Sequence, residues 1–286
     1  MSALRHVAGF AAAFGVIAGF AASPAVALEP VKDVRLYVFD CGHAHFNDFG
    51  MFADTGEYDG KPGDIADPCF LVRHPKGILI WDTGLGDSIA AHPEGVDAGS
   101  GIHLTVPVTL ASQLEQVGIA VGDVDFVAFS HFHFDHTGNA NLFAKATWIV
   151  NSAALAWAIA EPAPFGVNPT TFSAYRSAKQ KVIDGDDDVF GDGSVRILKA
   201  PGHTPGHQVL EVRLRKAGTI VLSGDLYHTR ANRENRRVPA FNASRADTLA
   251  SIDRIEKIVR NTHARFVVQH DSEDFKALPK PPAFLE

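Results

Sequence analysis

The amino-acid sequence predicts an α/β fold of four layers, two sheets packed together with helices outside, within one domain. Three observations lead there. The chain is long and apolar enough for one large core, with 286 residues, 46% hydrophobic and 21% charged. Its two halves each run from short strand-like segments into helical periodicity. Side chains able to hold a metal stand where apolar runs end, as they do when ligands converge on one edge of a sheet.

The elements follow in order. Val34 to Phe39, Cys69 to Arg73 and Ile78 to Trp81 read as strands, the last two joined by the hairpin signal His74-Pro75-Lys76-Gly77. Val106 to Gly118 reads as a helix ending at glycine, with Val108, Leu110, Ala111 and Leu114 near helical spacing. Val124 to Phe129 reads as a buried strand, and Ala153 to Ala160 as a helix. The second half repeats strands then helix: Ser194 to Leu198, Gln208 to Leu214 and Gly218 to Leu222. Ser244-Arg245-Ala246-Asp247 then resembles a capping box ahead of Leu249, Ile252, Ile255, Ile258 and Val259. Arg265 to Val268 is a last strand running into His270. Gly42 to Pro68 and Gly86 to Gly101 lack periodicity and are expected to be long loops walling a substrate cleft.

The first segment is set apart. Arg5 precedes an apolar run from Val7 to Ala22, Ser23-Pro24 breaks it, and Ala25-Val26-Ala27 is a small-x-small cleavage site. This reads as a secretory signal peptide over residues 1–27, leaving one folded domain over 28–286 in the periplasm or outside the cell. The apolar run is short for a membrane span, so no membrane association is expected after cleavage. A net charge of -7 disfavours nucleic-acid binding. The arginines Arg230, Arg233, Arg236 and Arg237 are expected to be solvated or ion-paired rather than a nucleic-acid patch. Cys41 and Cys69 either pair in the oxidising compartment or remain two buried thiols. Nothing in the sequence indicates an oligomeric state.

The chemistry concentrates in Ser130-His131-Phe132-His133-Phe134-Asp135-His136-Thr137-Gly138-Asn139. His131 and His133 have the two-residue spacing that places both rings on one side of an extended segment. Asp135 and His136 then turn off that edge and can face a second ion. Imidazole plus carboxylate suits zinc, and iron and manganese accept the same donors. Three later segments extend the set: Pro201-Gly202-His203-Thr204-Pro205-Gly206-His207, Ser223-Gly224-Asp225, and Gln269-His270.

Taken together, these segments resemble the metallo-β-lactamase superfamily over nearly the whole chain after residue 27. The resemblance implies an αβ/βα sandwich with a two-metal site at one edge, holding two zinc ions, or iron or manganese. By it, His131, His133 and His203 hold one ion, Asp135, His136 and His270 the other, and Asp225 bridges them. Asp82 in Trp81-Asp82-Thr83-Gly84 matches a superfamily carboxylate that orients a ligand histidine; a turn-forming aspartate is the alternative. His207 reads as a supporting residue. His43, His45, His74, His92, His103, His228 and His263 read as surface or loop residues, His228 with the most competing evidence.

Paired dications carrying Asp135, Asp225 and a hydroxide leave a net positive centre suited to an oxyanion from a neutral ester or lactone. Asp135 is the expected proton shuttle. Asp225, the lack of a long C-terminal extension after His270, and Cys69-Phe70-Leu71-Val72-Arg73-His74-Pro75-Lys76-Gly77 make the chain most similar to the N-acyl-homoserine lactonases. The implied partner is a small lactone or ester. β-Lactams, other esters and organophosphates are the alternative substrates. Tyr227 is the expected substrate contact, although His228 holds the position that some of these lactonases give to a tyrosine. Phe46, Phe49, Met51 and Phe52 are candidates for an acyl-chain pocket or for anchoring their loop.

Overall fold

A computed structural model describes residues 29–286, so the segment 1–27, expected to be a signal peptide, lies outside the described residues. The first sheet contains β1 (Arg35–Phe46), β2 (Gly63–His74), β3 (Gly77–Trp81), β4 (Val96–Gly99), β5 (Ile102–Thr105), β6 (Phe126–Ala128), β7 (Thr147–Asn151) and β8 (Lys179–Ile183). Its strand order is β4-β5-β1-β2-β3-β6-β7-β8. The second contains β9 (Asp187–Asp188), β10 (Val195–Lys199), β11 (Gln208–Leu214), β12 (Gly218–Leu222) and β13 (Arg265–Val267), in the order β13-β12-β11-β10-β9.

Alternation along the strands builds the layers. Leu36, Val38, Phe70, Val72, Leu79 and Trp81 face Val195, Ile197, Leu210, Val212, Ile220 and Leu222 between the sheets. The opposite face of the first sheet packs Phe39, Leu71 and Ile80 against α1 (Leu110–Gln116) and α3 (Ser152–Ala158), which follows the short α2 (Phe134–Thr137). The outer face of the second sheet is covered by Ile252, Ile255 and Val259, from the long helix after α4 (Arg230–Asn235), namely α5 (Arg245–Thr262). α6 (Ser272–Lys276) closes the chain against β2. Two packed sheets with helices on their outer faces agree with the four-layer fold class read from the sequence.

Local signals place the helix ends. Ser244 caps α5 by accepting from the Asp247 N–H, as the capping-box pattern predicts. α1 is shorter than its periodicity suggested, because Thr109 caps it by accepting from Ser112 N–H and Gly118 leaves it at φ +71°. The two expected loops need correcting. Residues 42–46 extend β1 and residues 63–68 extend β2, so only the stretch between them is irregular, and residues 96–105 form the β4–β5 hairpin. Cross-strand pairing to Thr105 and Ala66 holds His43 extended, despite the Asp40–His43 bulge. Cys41 and Cys69 form a disulfide, with Cα atoms 5.7 Å apart, which resolves the alternatives left open above. Among the described residues no helix is long and apolar enough to cross a membrane.

Candidate metal centre

The site stands at one edge of the two sheets, where β6, β12 and β13 end and the loop after β10 turns. His131 and His133 follow β6, His133 with extended backbone, and His131 Nε2 lies 2.8 Å from His133 Nδ1. His203 joins them from the Pro-Gly-His-Thr loop, with Nε2 3.1 Å from both ring nitrogens. His136 in α2 meets His270, the Nε2 atoms 3.2 Å apart. The Asp135 carboxylate stands 3.8 Å from His136 Nε2 and 3.9 Å from His270 Nε2.

Asp225 links the two groups. Its Oδ2 is 3.2 Å from His203 Nε2, and its Oδ1 is 3.1 Å from His136 Nε2 and 3.0 Å from His270 Nε2. Two ligand sets result, His131–His133–His203–Asp225 and Asp135–His136–His270, each with donor atoms within 4.8 Å of one another. All seven residues named from the sequence meet here.

The donors fit a cation. Tetrahedral bonds of about 2.0–2.1 Å to a shared zinc place imidazole nitrogens roughly 3.3 Å apart, close to what the rings adopt. Asp225 Oδ1 is buried without a hydrogen-bond partner although two ring nitrogens are adjacent. The outward ring nitrogens, by contrast, are held. His136 Nδ1 donates to Asp82 Oδ2 at 2.9 Å, His270 Nδ1 to the Ala66 carbonyl at 2.7 Å, and His203 Nδ1 to Asn242 Oδ1 at 2.9 Å. The Ser130 hydroxyl lies 3.0 Å from His131 Nδ1. Such contacts set the tautomer and aim the inward nitrogen.

Asp82 serves both expectations made for it. It occupies a turn in the left-handed region, φ +54°, and its carboxylate also accepts from Ser130 N–H at 2.7 Å and Gln269 Nε2 at 2.7 Å. Close backbone approach requires glycine at two positions. At Gly84, φ +69°, a Cβ would stand 2.3 Å from Cys41 Cβ, so the loop carrying Asp82 rests on the disulfide. At Gly224, φ +47°, a Cβ would stand 2.6 Å from Ser130 Cβ.

Burial sets the electrostatics. It pushes His131 and His133 well below the ordinary histidine range, reinforced by His136 and His203 respectively. Burial opposes protonation of His136 too, but Asp225, Asp82 and Asp135 outweigh it and raise the group well above that range. Burial also opposes protonation of His270, yet Asp225 raises it to about 9. Burial would raise Asp225, but His270, His136 and His131 hold its carboxylate well below the usual range.

Two histidines and one tyrosine depart from the sequence reading. Tyr227 does not reach the cluster. Its backbone is extended, φ -147° and ψ 143°, so residues 227 and 228 point to opposite sides. The Tyr227 hydroxyl donates to Glu256 at 3.3 Å, beside Phe266. His228 is buried rather than on a surface loop, with Nε2 2.9 Å from Asp225 Oδ2 and Nδ1 without a partner. His74 is buried as well, stacked on Phe190, with Nε2 3.1 Å from Asp192. The arginines are ion-paired as expected: Arg230 to Asp274, Arg233 to Glu256, Arg236 to Asp253 and Arg237 to Glu57.

An apolar cavity of about 80 Å³ opens beside Asp135, Asp225 and His228, walled by Phe46, Met51, Phe52, Phe134, Phe165 and Phe241. Three of the four expected pocket residues line it, while Phe49 stacks behind Phe52 at 4.0 Å and anchors the loop. Phe165, Phe241, Ser130, Asn242 and Gln269 carry no spacing signal of their own. Only Ser130 and Gln269, beside His131 and His270, had a hint in the sequence.

A profile of the metallo-beta-lactamase superfamily matches residues 63–270, a span that runs from β2 through the last ligand. The chain belongs to the metallo-beta-lactamase superfamily. Within it, the chain is 31% identical over 266 residues to an N-acyl homoserine lactonase AttM from Azorhizobium caulinodans, covering 90% of this chain and 100% of that one. It is 29% identical to an N-acyl homoserine lactonase from a Bacillus species, covering 78% of this chain and 90% of that one. A solved N-acyl homoserine lactone hydrolase with N-hexanoyl-L-homoserine at its catalytic metal centre superposes with a TM-score of 0.76. It is 25% identical and covers 90% of this chain and 100% of its own. The fold is also shared with AidC, a dizinc quorum-quenching lactonase, at TM-score 0.66 and 20% identity, covering 90% of this chain and 95% of that one.

Proposed function

We propose that this chain is an exported hydrolase that opens the lactone ring of N-acyl-homoserine lactones, a quorum-quenching activity, at a centre of two divalent cations, with zinc the best fit. The observation that carries the reading is Asp225, whose two carboxylate oxygens face different ligand sets directly beside an aromatic cavity. The similarity to named lactonases over their full length supports the substrate class.

His131, His133, His203 and Asp225 would hold one cation, and Asp135, His136, His270 and Asp225 the other. When bound, the pair would supply Lewis acidity toward the ester carbonyl and acidify a water. The remaining work belongs to this chain. Asp82, Asn242 and the Ala66 carbonyl keep the ligand rings aimed. As a water oxygen bonds to the lactone carbonyl carbon, Asp135, partly exposed in the cavity wall, takes the water's proton and passes it to the ring oxygen as the ring C–O bond breaks. His228 lines the same cavity with its Nε2 2.9 Å from Asp225 Oδ2, and so helps to hold the shared carboxylate in place beside the substrate. The phenylalanine walls receive the acyl chain and exclude water. Export rests on the 1–27 segment and accords with the Cys41–Cys69 disulfide, which needs an oxidising compartment.

The test is acid release from a panel of acyl-homoserine lactones of increasing chain length, run beside a β-lactam, an aryl ester and an organophosphate. Lactone opening should disappear on chelation and in Asp135→Asn. If the metal-loaded protein leaves every lactone intact yet cleaves another class, the substrate assignment is wrong. Metal content measured on the same preparation checks the two-cation reading separately.

A further inference from the structure

One buried acid is not accounted for by the ligand sets or by the contacts that aim them. Asp67 lies on β2, a central strand of the first sheet, where aspartate is disfavoured. It is 2% exposed, and neither carboxylate oxygen has a hydrogen-bond partner. Asp82, the other fully buried acid nearby, accepts from Ser130, His136 and Gln269. A buried carboxyl left without partners is costly and calls for a compensating group.

Its surroundings indicate which group. The preceding residue, Ala66, clasps His270: Ala66 N–H donates to the His270 carbonyl at 3.0 Å, and His270 Nδ1 donates back to the Ala66 carbonyl at 2.7 Å. The charged and titratable groups acting on Asp67 are Asp135, His136, His270 and Asp82. Three of these form the second ligand set. On the other side, the strand pairing to β1 is interrupted by the Asp40–His43 bulge, so no ladder contact explains the side chain. Burial first, and then Asp135, push the Asp67 carboxyl well above its usual range, against a smaller pull from His136 and His270. A divalent cation at the second ligand set would supply the positive charge that a buried carboxylate without hydrogen-bond partners lacks. Asp67 lies outside the group whose donor atoms fall within 4.8 Å of one another, so it acts across the ligands and not as one of them.

We propose that Asp67 is a positioning residue for the second cation, its carboxylate stabilising a divalent ion held by Asp135, His136 and His270 without ligating it. The inference rests on the two-cation reading above, but not on the identity of the substrate.

The experiment compares the full chain with Asp67→Asn, which keeps shape and hydrogen-bonding capacity, and Asp67→Val, which removes both. Each protein is loaded with zinc and equilibrated against a graded chelator, and zinc per chain is measured by mass spectrometry. Thermal midpoints are recorded for the metal-free forms. Both variants should lose the second zinc at about 10- to 100-fold weaker chelation while holding the first as the parent does. Their metal-free midpoints should match or exceed that of the parent, because an uncompensated buried acid has gone. A merely structural Asp67 gives the opposite pattern, lower metal-free midpoints with an unchanged zinc profile, and that result overturns the proposal. So does variant zinc retention identical to the parent's at any midpoint. A parent that binds a single zinc removes the two-cation reading itself, and the inference with it.

Discussion

The backbone N–H of Asp225 donates to His207 Nε2 at 2.9 Å, while His207 Nδ1 donates to the Ala200 carbonyl at 2.8 Å. One neutral imidazole thereby ties the loop after β10 to the turn that carries the shared carboxylate. Burial, with His203 next, pushes His207 down to about 3, which keeps Nε2 an acceptor at neutral pH. His207→Leu should leave the Asp225 N–H buried and unpaired, at a cost of about 1–3 kcal/mol. Urea midpoints of the metal-free proteins check this, and His207→Gln should recover part of the loss.

The same ring sets a pH dependence. The unfolded chain carries histidine at about 6.5, whereas folded His207 and His228 sit at about 3 and about 4, both depressed first by burial. Below about pH 6.5 the unfolded state therefore binds protons that the fold refuses, and stability falls. The contribution is complete above that pH and is lost progressively toward the folded values. Metal-free parent protein should destabilise between pH 7 and 4 more steeply than His207→Gln, as followed by urea titration at each pH.

Tyr227 and His228 should respond oppositely to substitution. Tyr227→Phe removes one hydrogen bond to Glu256 far from the cluster, so kcat should stay near the parent value and stability fall by about 1 kcal/mol. His228→Ala takes a group from the cavity wall beside Asp225 and should lower kcat by about 100-fold or more. Equal losses in the two variants would return Tyr227 to the catalytic set.

Asp82→Asn preserves the shape of the turn but weakens the charged acceptor that holds His136 Nδ1. Affinity for the cation at His136 should drop about 10- to 100-fold, with the His131–His133–His203 position little changed. Competition with a metal indicator, read as two separate binding steps, distinguishes this from a general loss of metal.

Much of the centre was legible because its chemistry admits few residue types. His131, His133, Asp135 and His136 are close in sequence, so their spacing alone limits which way they face. His203, Asp225 and His270 each follow an apolar strand, and strand ends along one edge lie near one another. The Ser244 cap and the α5 stripe were equally local, and were found for the same reason.

Other features depend on partners distant in sequence. Residues 42–46 are strand because Thr105 and Ala66 pair with them, not because of their own propensity. The disulfide required the Phe39–Cys69 register and the bulge after Asp40. Whether 227 or 228 faced the cluster depended on the twist of the turn at Asp225, φ -97° and ψ 25°.

The sequence by itself determined which donors the molecule owns, the order of its layers and the faces its helices bury, since these follow from residue chemistry and local periodicity. Only the tertiary structure decided that His228 replaces Tyr227 at the cavity, that Cys41 meets Cys69, and that Asp67 lies unpaired behind the second ligand set. Each depends on how long-range pairing turns a few backbone torsions, and a change of one residue in an extended segment reverses the side a group faces.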